Sequence, residues 1–490
     1  MAAPLFIDSL SLARSAGAYA VEIAPPRVVE DQIVGYVGLP MQSEWGPDNV
    51  VGEPAGSADL LNTYFPAGSP RTSTGYRALV GRKKMPLRPV RCMKSDAAAA
   101  SRVISVTGGT LVITARYKGT LGNSITAQVK AASDGDAAKF DLEVVLTDTV
   151  TGTTRGTIRN IVMGEDPELP GEEAILLASV AWTGTPSAIP AADVSPVALT
   201  LGSDGTGAVD ATEYNAAIDL LAARNEVFVV VTDDCGSSAR VFVNEHLLLH
   251  AQTTTRNRLV VLQENVSAAW SAVKTRVATV RGDRVIDCGA WVQVYDDSGA
   301  VVTSPAATFV ASALANLEPQ NSHAWWDDSV TDLYTAIVGI VAPFNTADPD
   351  VQAEATEQGI CLPFRLESGR YAFLHDRTTS LTVGRRYAIT RRLKDFFARS
   401  ILTTIRSFVN GPSLRGRHLE VKALVDGFMA RQVTAQRCVA YSSAIDGVNS
   451  PASLALGQFS LALDAQTPSV MEKIGLLLNA GETVTVREAS

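Results

Sequence analysis

Few side chains in this 490-residue chain are suited to acid–base or nucleophilic work. There are five histidines, His246, His250, His323, His375 and His418, and five cysteines, Cys92, Cys235, Cys288, Cys361 and Cys438. His246 and His250 stand four apart in a stretch with helical periodicity, a spacing that can present two imidazoles to a zinc ion. No acidic residue supplies the general base of a zinc hydrolase there, and Leu247-Leu248-Leu249 between them points to packing. Gly202-Ser203-Asp204-Gly205-Thr206-Gly207 is a glycine-rich run before a helix and must be weighed as a phosphate cradle. It lacks the Lys-Ser/Thr of a P-loop and fits the dinucleotide fingerprint poorly, so a turn at a domain junction is expected. Asp233-Asp234-Cys235-Gly236 ends a strand, where α/β enzymes place catalytic groups. The competing enzymatic reading is therefore an α/β hydrolase or thiol enzyme built on Cys235 and a distant histidine. No constellation converges, so no catalytic, cofactor-binding or metal-ligating residue is assigned, and the chain is not expected to be an enzyme.

The cysteines are scattered, odd in number and free of zinc-ligand or redox-motif spacing. Either they are inert thiols made in a reducing cytosol, or some pair between subunits after release into an oxidising medium. A formal net charge of −9 argues against a nucleic-acid coat, which would carry a basic excess, so no direct nucleic-acid contact is expected. The N-terminus has no basic n-region, and Leu5-Phe6-Ile7 runs straight into Asp8, so no signal peptide is expected. No stretch approaches the ~20 apolar residues of a membrane span. A soluble product made in the cytoplasm, without membrane insertion, is the expectation.

A chain of this length should divide into two to four domains. Residues 32–40 read as a buried strand, followed by the turn-rich Ser43-Glu44-Trp45-Gly46-Pro47-Asp48, and 57–65 as a short serine-capped helix. The basic run from Arg82-Lys83-Lys84 through Arg88, Arg91 and Lys94 is either a solvated linker face or a dock for an acidic partner. Between about 100 and 200, short alternating strands at 103–106, 111–115, 124–129 and 140–146 define an all-β insert. From about 201 to 324, helices at 213–223, 238–251 and 267–279 alternate with β-branched strands at 226–231, 258–262 and 291–295. That rhythm predicts a largely parallel sheet covered on both faces. The strongest helix carries Leu393, Phe396, Phe397, Ile401, Ile405, Phe408 and Val409 on one face, with Arg392, Asp395, Arg399 and Arg406 opposite, and stops at Asn410-Gly411-Pro412. A second helix spans 419–432, and closing strands lie around 455–463 and 473–478.

Both ends of the chain read as unpartnered strands. Thr483-Val484-Thr485-Val486 alternates apolar and polar with nothing after it to pair with, and Tyr19-Ala20-Val21-Glu22-Ile23 precedes the Pro25-Pro26 break. A lone strand exposes unsatisfied backbone donors and acceptors, so strand addition to a neighbouring copy is expected.

In order along nearly the whole chain, several segments resemble the contractile-tail sheath proteins of bacteriophages and related contractile injection machines. Gly17-Ala18-Tyr19-Ala20-Val21-Glu22 is similar to that family's opening arm. Val34-Gly35-Tyr36-Val37-Gly38 with Trp45-Gly46-Pro47 resembles its first core strand and following loop. Tyr117-Lys118-Gly119-Thr120-Leu121-Gly122-Asn123 resembles its Gly-x-x-Gly-Asn turn, and Leu201-Gly202-Ser203-Asp204-Gly205 the Gly-Ser-Asp-Gly that opens its central domain. Arg385-Arg386-Tyr387-Ala388-Ile389-Thr390-Arg391-Arg392-Leu393-Lys394-Asp395-Phe396 is similar to its C-terminal strand and long helix. The arm lacks the family's usual Pro-Gly, and Leu201-Gly202 stands where a double glycine is usual.

The resemblance implies an α/β multidomain fold: an α+β sheath core, an all-β insertion and a subtilisin-like α/β domain without a protease triad, with extended terminal arms. The expected divisions are an N-terminal arm at 1–20, a tube-proximal core from 21–95 with 325–470, an outer β-rich domain at 96–200, an α/β domain at 201–324, and a C-terminal arm at 471–490. It implies a structural subunit of a virion tail, assembled in the host cytoplasm as stacked hexameric rings around a tail tube. Contraction would drive the tube through the host envelope for genome delivery, with the tube, baseplate and tail terminator proteins as partners. No cofactor is implied. Tyr19, Val21, Ile23, Thr483, Val484, Thr485 and Val486 would add strands to neighbouring copies. Arg391, Arg392, Lys394 and Arg399 would face an acidic tube. The same resemblance admits the sheath of a non-viral contractile injection or secretion device.

Overall fold

The computed structural model describes residues 5–7, 19–21, 36–52, 87–147, 153–164, 177–224, 226–253, 258–295 and 299–470. The helix expected at 57–65, the strand expected at 473–478, residues 82–86 of the basic run, Ile23 and the segment Thr483 to Val486 lie outside them. Among the described residues, no helix is long and apolar enough to cross a membrane.

The chain divides into two units, one of Met1–Gln32 and Leu393–Pro468, the other of Ile33–Arg392 and Ser469–Ser490. The larger unit is organised on a six-stranded sheet in the order Ile360–Cys361, Val285–Cys288, Leu259–Gln263, Val227–Val231, Tyr36–Met41, Leu87–Arg91. Every neighbouring pair is parallel. Val227–Val231 is buried at every position because helices cover both faces. The helices Ala211–Leu221 and Gly236–Thr253 place Tyr214, Ile218, Val243 and Leu247 against Val227, Val230 and Val260 in one core. Ala306–Asn316 also packs against the central strands, and its alanine-rich first three turns let a helix backbone approach the sheet closely.

Gln263, buried at the end of its strand, substitutes for ladder partners where the sheet ends. Its Nε2 donates to the carbonyls of Cys288 (3.1 Å) and Ala290 (3.0 Å), and its Oε1 accepts from Ala307 N at 3.0 Å, at the start of the covering helix. One side chain therefore fastens two strands and a helix.

The β-rich region is a three-stranded sheet, Ala178–Gly184, Gly109–Ala115 and Ser101–Val106, and a four-stranded one, Val197–Ala198, Ile125–Ala131, Lys139–Thr147 and Thr153–Val162. Both are antiparallel. Alternate residues of Gly109–Ala115 and Ile125–Ala131 turn inward, and Leu111, Ile113, Val129, Phe140, Leu142 and Val180 share one core.

In the smaller unit, Phe396, Phe397 and Phe428 form an aromatic triad with centroids 5.8–6.2 Å apart. It joins the end of helix Ala388–Ile405 to helix Arg415–Thr434. A hairpin of Ala440–Ala444 with Ala462–Gln466 follows. At the N-terminus, Leu5–Ile7 pairs in parallel with Tyr19–Val21.

Several sequence expectations are corrected. Trp291–Tyr295 does not extend the parallel sheet; it lies in a three-stranded antiparallel sheet between Val301–Pro305 and Ile337–Val341. Buried β-branched runs look alike in either kind of sheet, so composition could not separate them. One sheet also crosses the expected division between 21–95 with 325–470 and 201–324. Tyr36–Met41, Leu87–Arg91 and Ile360–Cys361 complete the sheet whose centre was assigned to 201–324. Within this single copy, Tyr19 and Val21 pair with Leu5 and Ile7 of their own chain. The nearest strand available to a single copy is its own, and a two-stranded ribbon still leaves outer edges open. Gln263→Ala should cost about 1–3 kcal/mol in urea unfolding of the protein, because the Ala290 carbonyl and the Ala307 N–H lose their partner while the Cys288 carbonyl keeps only Glu264 N.

Candidate functional site

The motifs that carried the sequence resemblance meet at one buried guanidinium. Arg91 ends its strand beside Met41 and is fully buried. Its Nε donates to the carbonyl of Ser43 (2.8 Å), Nη2 to Glu44 (3.0 Å), and Nη1 to both Gly46 (3.0 Å) and Lys118 (2.9 Å). It thus binds the 43–47 loop and the 117–123 turn together. Trp45, from the same loop, sits in the β-rich core and meets Tyr117 edge-on at 5.3 Å.

The 117–123 turn in turn clasps the 201–205 turn. Asn123 Nδ2 donates to Gly202 O at 2.9 Å, and Gly202 N donates back to Asn123 Oδ1 at 2.8 Å. Asp204 accepts from Thr120 N (3.0 Å) and Thr120 Oγ1 (2.6 Å). Gly119 has φ +122, and a Cβ there would lie 2.9 Å from both Arg91 Nη2 and Asp204 Oδ1. Only glycine fits the conformation and the space together. The glycine-rich run is therefore a junction clasp, as its turn chemistry suggested, with its polar groups used internally.

The remaining chemistry-bearing residues are dispersed. His246 Nε2 contacts Asp219 Oδ1 at 2.8 Å, whereas His250 Nε2 meets Arg258 Nη1 at 3.0 Å. Burial, with the Arg258 charge, lowers the His250 pKa to about 4, so the two imidazoles serve separate contacts and do not converge on a metal. Among the described residues, no group of three or more His, Cys, Asp or Glu could hold one. At the strand end, Asp234 Oδ1 accepts from Gly236 N and from Arg240 Nη2, both at 2.9 Å. Cys235 is buried, which raises its pKa, and the charges around it are those of Arg240, Asp234 and Asp233. The thiol-enzyme reading centred on Cys235 has no histidine there to build on.

Two charge assignments are corrected. Arg392 is not on a solvated, tube-facing surface: it is fully buried, donating to the carbonyls of Leu314 (2.8 Å), Leu317 (2.6 Å) and Asn321 (2.9 Å). Burial lowers its pKa to about 10, so it is still charged at neutral pH. Asp395, read as lying on the same polar face, is also buried. Of the other three residues, Arg391 pairs with Asp283 at 3.1 Å, Arg399 is half-buried and Lys394 is exposed. The basic run fares alike. Besides the buried Arg91, Arg88 is nearly buried, bonded to Gly52 O and paired with Glu226, and Lys94 pairs with Asp210 and Glu213.

All five cysteines are buried free thiols, so none is presented for a bond between subunits. Two of them nevertheless meet. Cys288 and Cys361 are directly opposed on neighbouring parallel strands. Cys361 Sγ lies 3.8 Å from His323 Nε2, and His323 Nδ1 lies 2.7 Å from Asp376 Oδ1 in an ion-pair contact. Sequence reasoning named His323, Cys288 and Cys361 without joining them. No spacing signal exists, because only the closing of the sheet by Ile360–Cys361 brings them together.

No family model matches the sequence, and no curated protein matches it. Solved structures do match in fold. A sheath tail protein from Desulfitobacterium hafniense shares 16% identity over 88% of this chain and 94% of its own, with a TM-score of 0.61. A sheath tail protein from Listeria innocua shares 14% over 89% and 96%, with a TM-score of 0.63. The contracted sheath of an extracellular contractile injection system, the PVC sheath complex, shares 10% over 96% and 99%, with a TM-score of 0.56. The chain has the fold of the contractile sheath proteins.

Arg91→Met should destabilise the protein by more than about 3 kcal/mol, because four carbonyls, those of Ser43 and Gly46 buried and those of Glu44 and Lys118 half-buried, lose their donor. Arg91→Lys should recover only part of this in the same denaturation assay, since an ammonium cannot reproduce the guanidinium fork.

Proposed function

We propose that this chain is the structural subunit of a contractile tail sheath, polymerising as stacked hexameric rings around a tail tube and contracting to drive that tube through a cell envelope. The observation that carries this reading is the match of fold over nearly the full length of both chains in each sheath comparison. The internal use of the 117–123 and 201–205 turns supports it, since their polar groups bond each other across a junction. Phage tails and non-viral injection devices both fall within the reading, since sheath tail proteins and an injection-system sheath share the fold. In a phage the subunit would belong to the virion and serve genome delivery; in either device its other partners would be baseplate and terminator proteins.

Physically, a sheath must change shape without breaking. The Arg91 junction and the 117–123 clasp would let the larger unit move as one body during contraction. Terminal strands, Tyr19, Val21 and Ile23 at one end and Thr483 to Val486 at the other, would add to neighbouring copies through backbone hydrogen bonds and keep the net continuous. Burying about 300 Å² of further apolar surface per subunit would release roughly 7 kcal/mol, which a large number of copies multiplies into a strong drive. Grip on the tube must be releasable, which suits polar contacts such as the exposed Lys394 and the half-buried Arg399 better than an apolar interface.

Negative-stain microscopy of the concentrated full-length protein tests the proposal. Striated hollow cylinders are expected, whereas the chain truncated after Ala480 should stay a folded, soluble monomer. Cylinders from the truncated chain would remove the C-terminal strand from the mechanism. Monomers alone from the full chain, across salt and concentration, would contradict the sheath assignment.

A further inference from the structure

Cys361, His323 and Asp376 stand in the order nucleophile, base, orienter, yet the cluster is sealed. Cys361 and His323 are 0% exposed and Asp376 1%. A bulky substrate has no standing path to such a site, so the sulfur partner within reach of Cys361 is a group already inside. That group is Cys288, also 0% exposed and opposite Cys361 in register. Adjacent strands are ~4.8 Å apart, within the Cα separation that a disulfide spans, and in-register residues project to the same face.

The surroundings favour a thiolate at Cys361. Burial pushes its pKa up, but hydrogen bonds with Cys288 and His323 and the charge of His323 outweigh this and bring it to about 6. His323 is held in its cationic form: burial opposes the charge, and contact with Asp376 and Cys361 raises its pKa to about 9. Asp376 is fixed on its other side, Oδ2 accepting from Ile389 N at 2.8 Å at the start of helix Ala388–Ile405. Arg392, one turn on, adds its charge to the same carboxylate. Burial, and next the neighbouring Glu264, push the pKa of Asp287, beside Cys288, well up; Glu264 itself lies 3.9 Å from Arg276. The anion of the cluster is therefore placed on Cys361, with Cys288 as thiol.

We propose that Cys288 and Cys361 form an intrachain dithiol–disulfide redox pair, with Cys361 the attacking sulfur, His323 its proton partner, Asp376 the residue orienting His323, and a peroxide-class oxidant as co-reactant. The Cys361 thiolate attacks one peroxide oxygen and the O–O bond breaks; hydroxide leaves and takes the His323 proton as water. The sulfur is oxidised to a sulfenic acid. Cys288 gives its proton to the departing sulfenic hydroxide as the S–S bond forms, releasing a second water. Two thiols and one hydrogen peroxide thus become one disulfide and two waters. The oxidant enters at the sheet edge, where Ile360–Cys361 is a two-residue strand preceded by Gly359 at φ +73, a place suited to local opening. The product ties that edge strand to Val285–Cys288.

The test is thiol counting on the full-length protein after hydrogen peroxide, with acid quench, denaturation and alkylation. Two of the five thiols should disappear, peptide mapping should join Cys288 to Cys361 within one chain, and dithiothreitol should restore both. In Cys288→Ala, Cys361 should instead be captured by dimedone as the sulfenic acid. The oxidation rate should fall as pH drops through about 6, and His323→Gln should move that midpoint up by about two units toward an ordinary thiol. Should His323→Gln fail to fold, the wild-type pH profile alone decides. Five alkylatable thiols after oxidation, a bond between chains, a different cysteine pair, or a wild-type rate that climbs with pH through 8.5 would each overturn the proposal.

Discussion

A loop that leaves a sheet and crosses the interior carries carbonyl groups that no ladder partner satisfies. In this chain the donors for such carbonyls come repeatedly from arginine. Arg91, Arg240, Arg258 and Arg392 rank among the largest fully buried side chains. Arg91 binds four carbonyls and Arg392 three, Arg258 reaches Ala222 and Arg224 carbonyls, and Arg240 adds the Asp233 carbonyl to its pairing with Asp234. A guanidinium is weakly hydrated, stays charged and carries five donors in a fixed fork, so it loses less on burial than an ammonium and serves several acceptors. Removing the ion from water is still costly. The arrangement holds because each guanidinium replaces several otherwise orphaned acceptor contacts.

Arg91 binds carbonyls of two separate segments, Ser43, Glu44 and Gly46 in one and Lys118 in the other. It stands where the sheet's edge strand, the 43–47 loop and the 117–123 turn converge, and the last of these carries the clasp to 201–205. The chain leaves the sheet after Arg91, builds the β-rich region, and returns through that clasp to Asp210. There Asp210 and Glu213 form a capping box at the head of helix Ala211–Leu221 and both pair with Lys94. The excursion is therefore closed at its base by polar contacts, and two regions with separate cores are held in a fixed relation.

This logic also explains what the sequence disclosed and what it hid. The helices 213–223 and 238–251 and the strands 226–231 and 258–262 were legible within a few residues, because β-branched runs and helical periodicity follow from burial geometry. So were four strands of the β-rich region, where alternation is strict. Strands Thr153–Val162 and Ala178–Gly184 were missed, and Val285–Cys288 was hidden by its Asp and Cys. The arginines misled most. Arg88, Arg91 and Arg392 read as solvated charge because basic residues are seldom buried, and only the converging loops reveal otherwise. The Cys288–Cys361–His323–Asp376 cluster is illegible in one dimension, since its members come from separate elements. Ordered short motifs pointed to the sheath fold, while the domain boundaries drawn from them cut across a single sheet.

Native-state hydrogen exchange at the Thr120 and Gly202 amides tests the Arg91-centred junction most directly. Both lie in turns, so in an ordinary surface loop they would exchange by small local fluctuations. If the junction binds the two regions into one body, they will exchange only with the free energy of global unfolding, matching amides of Val227–Val231. Exchange at rates typical of exposed loops, with the central strand still protected, would contradict the account.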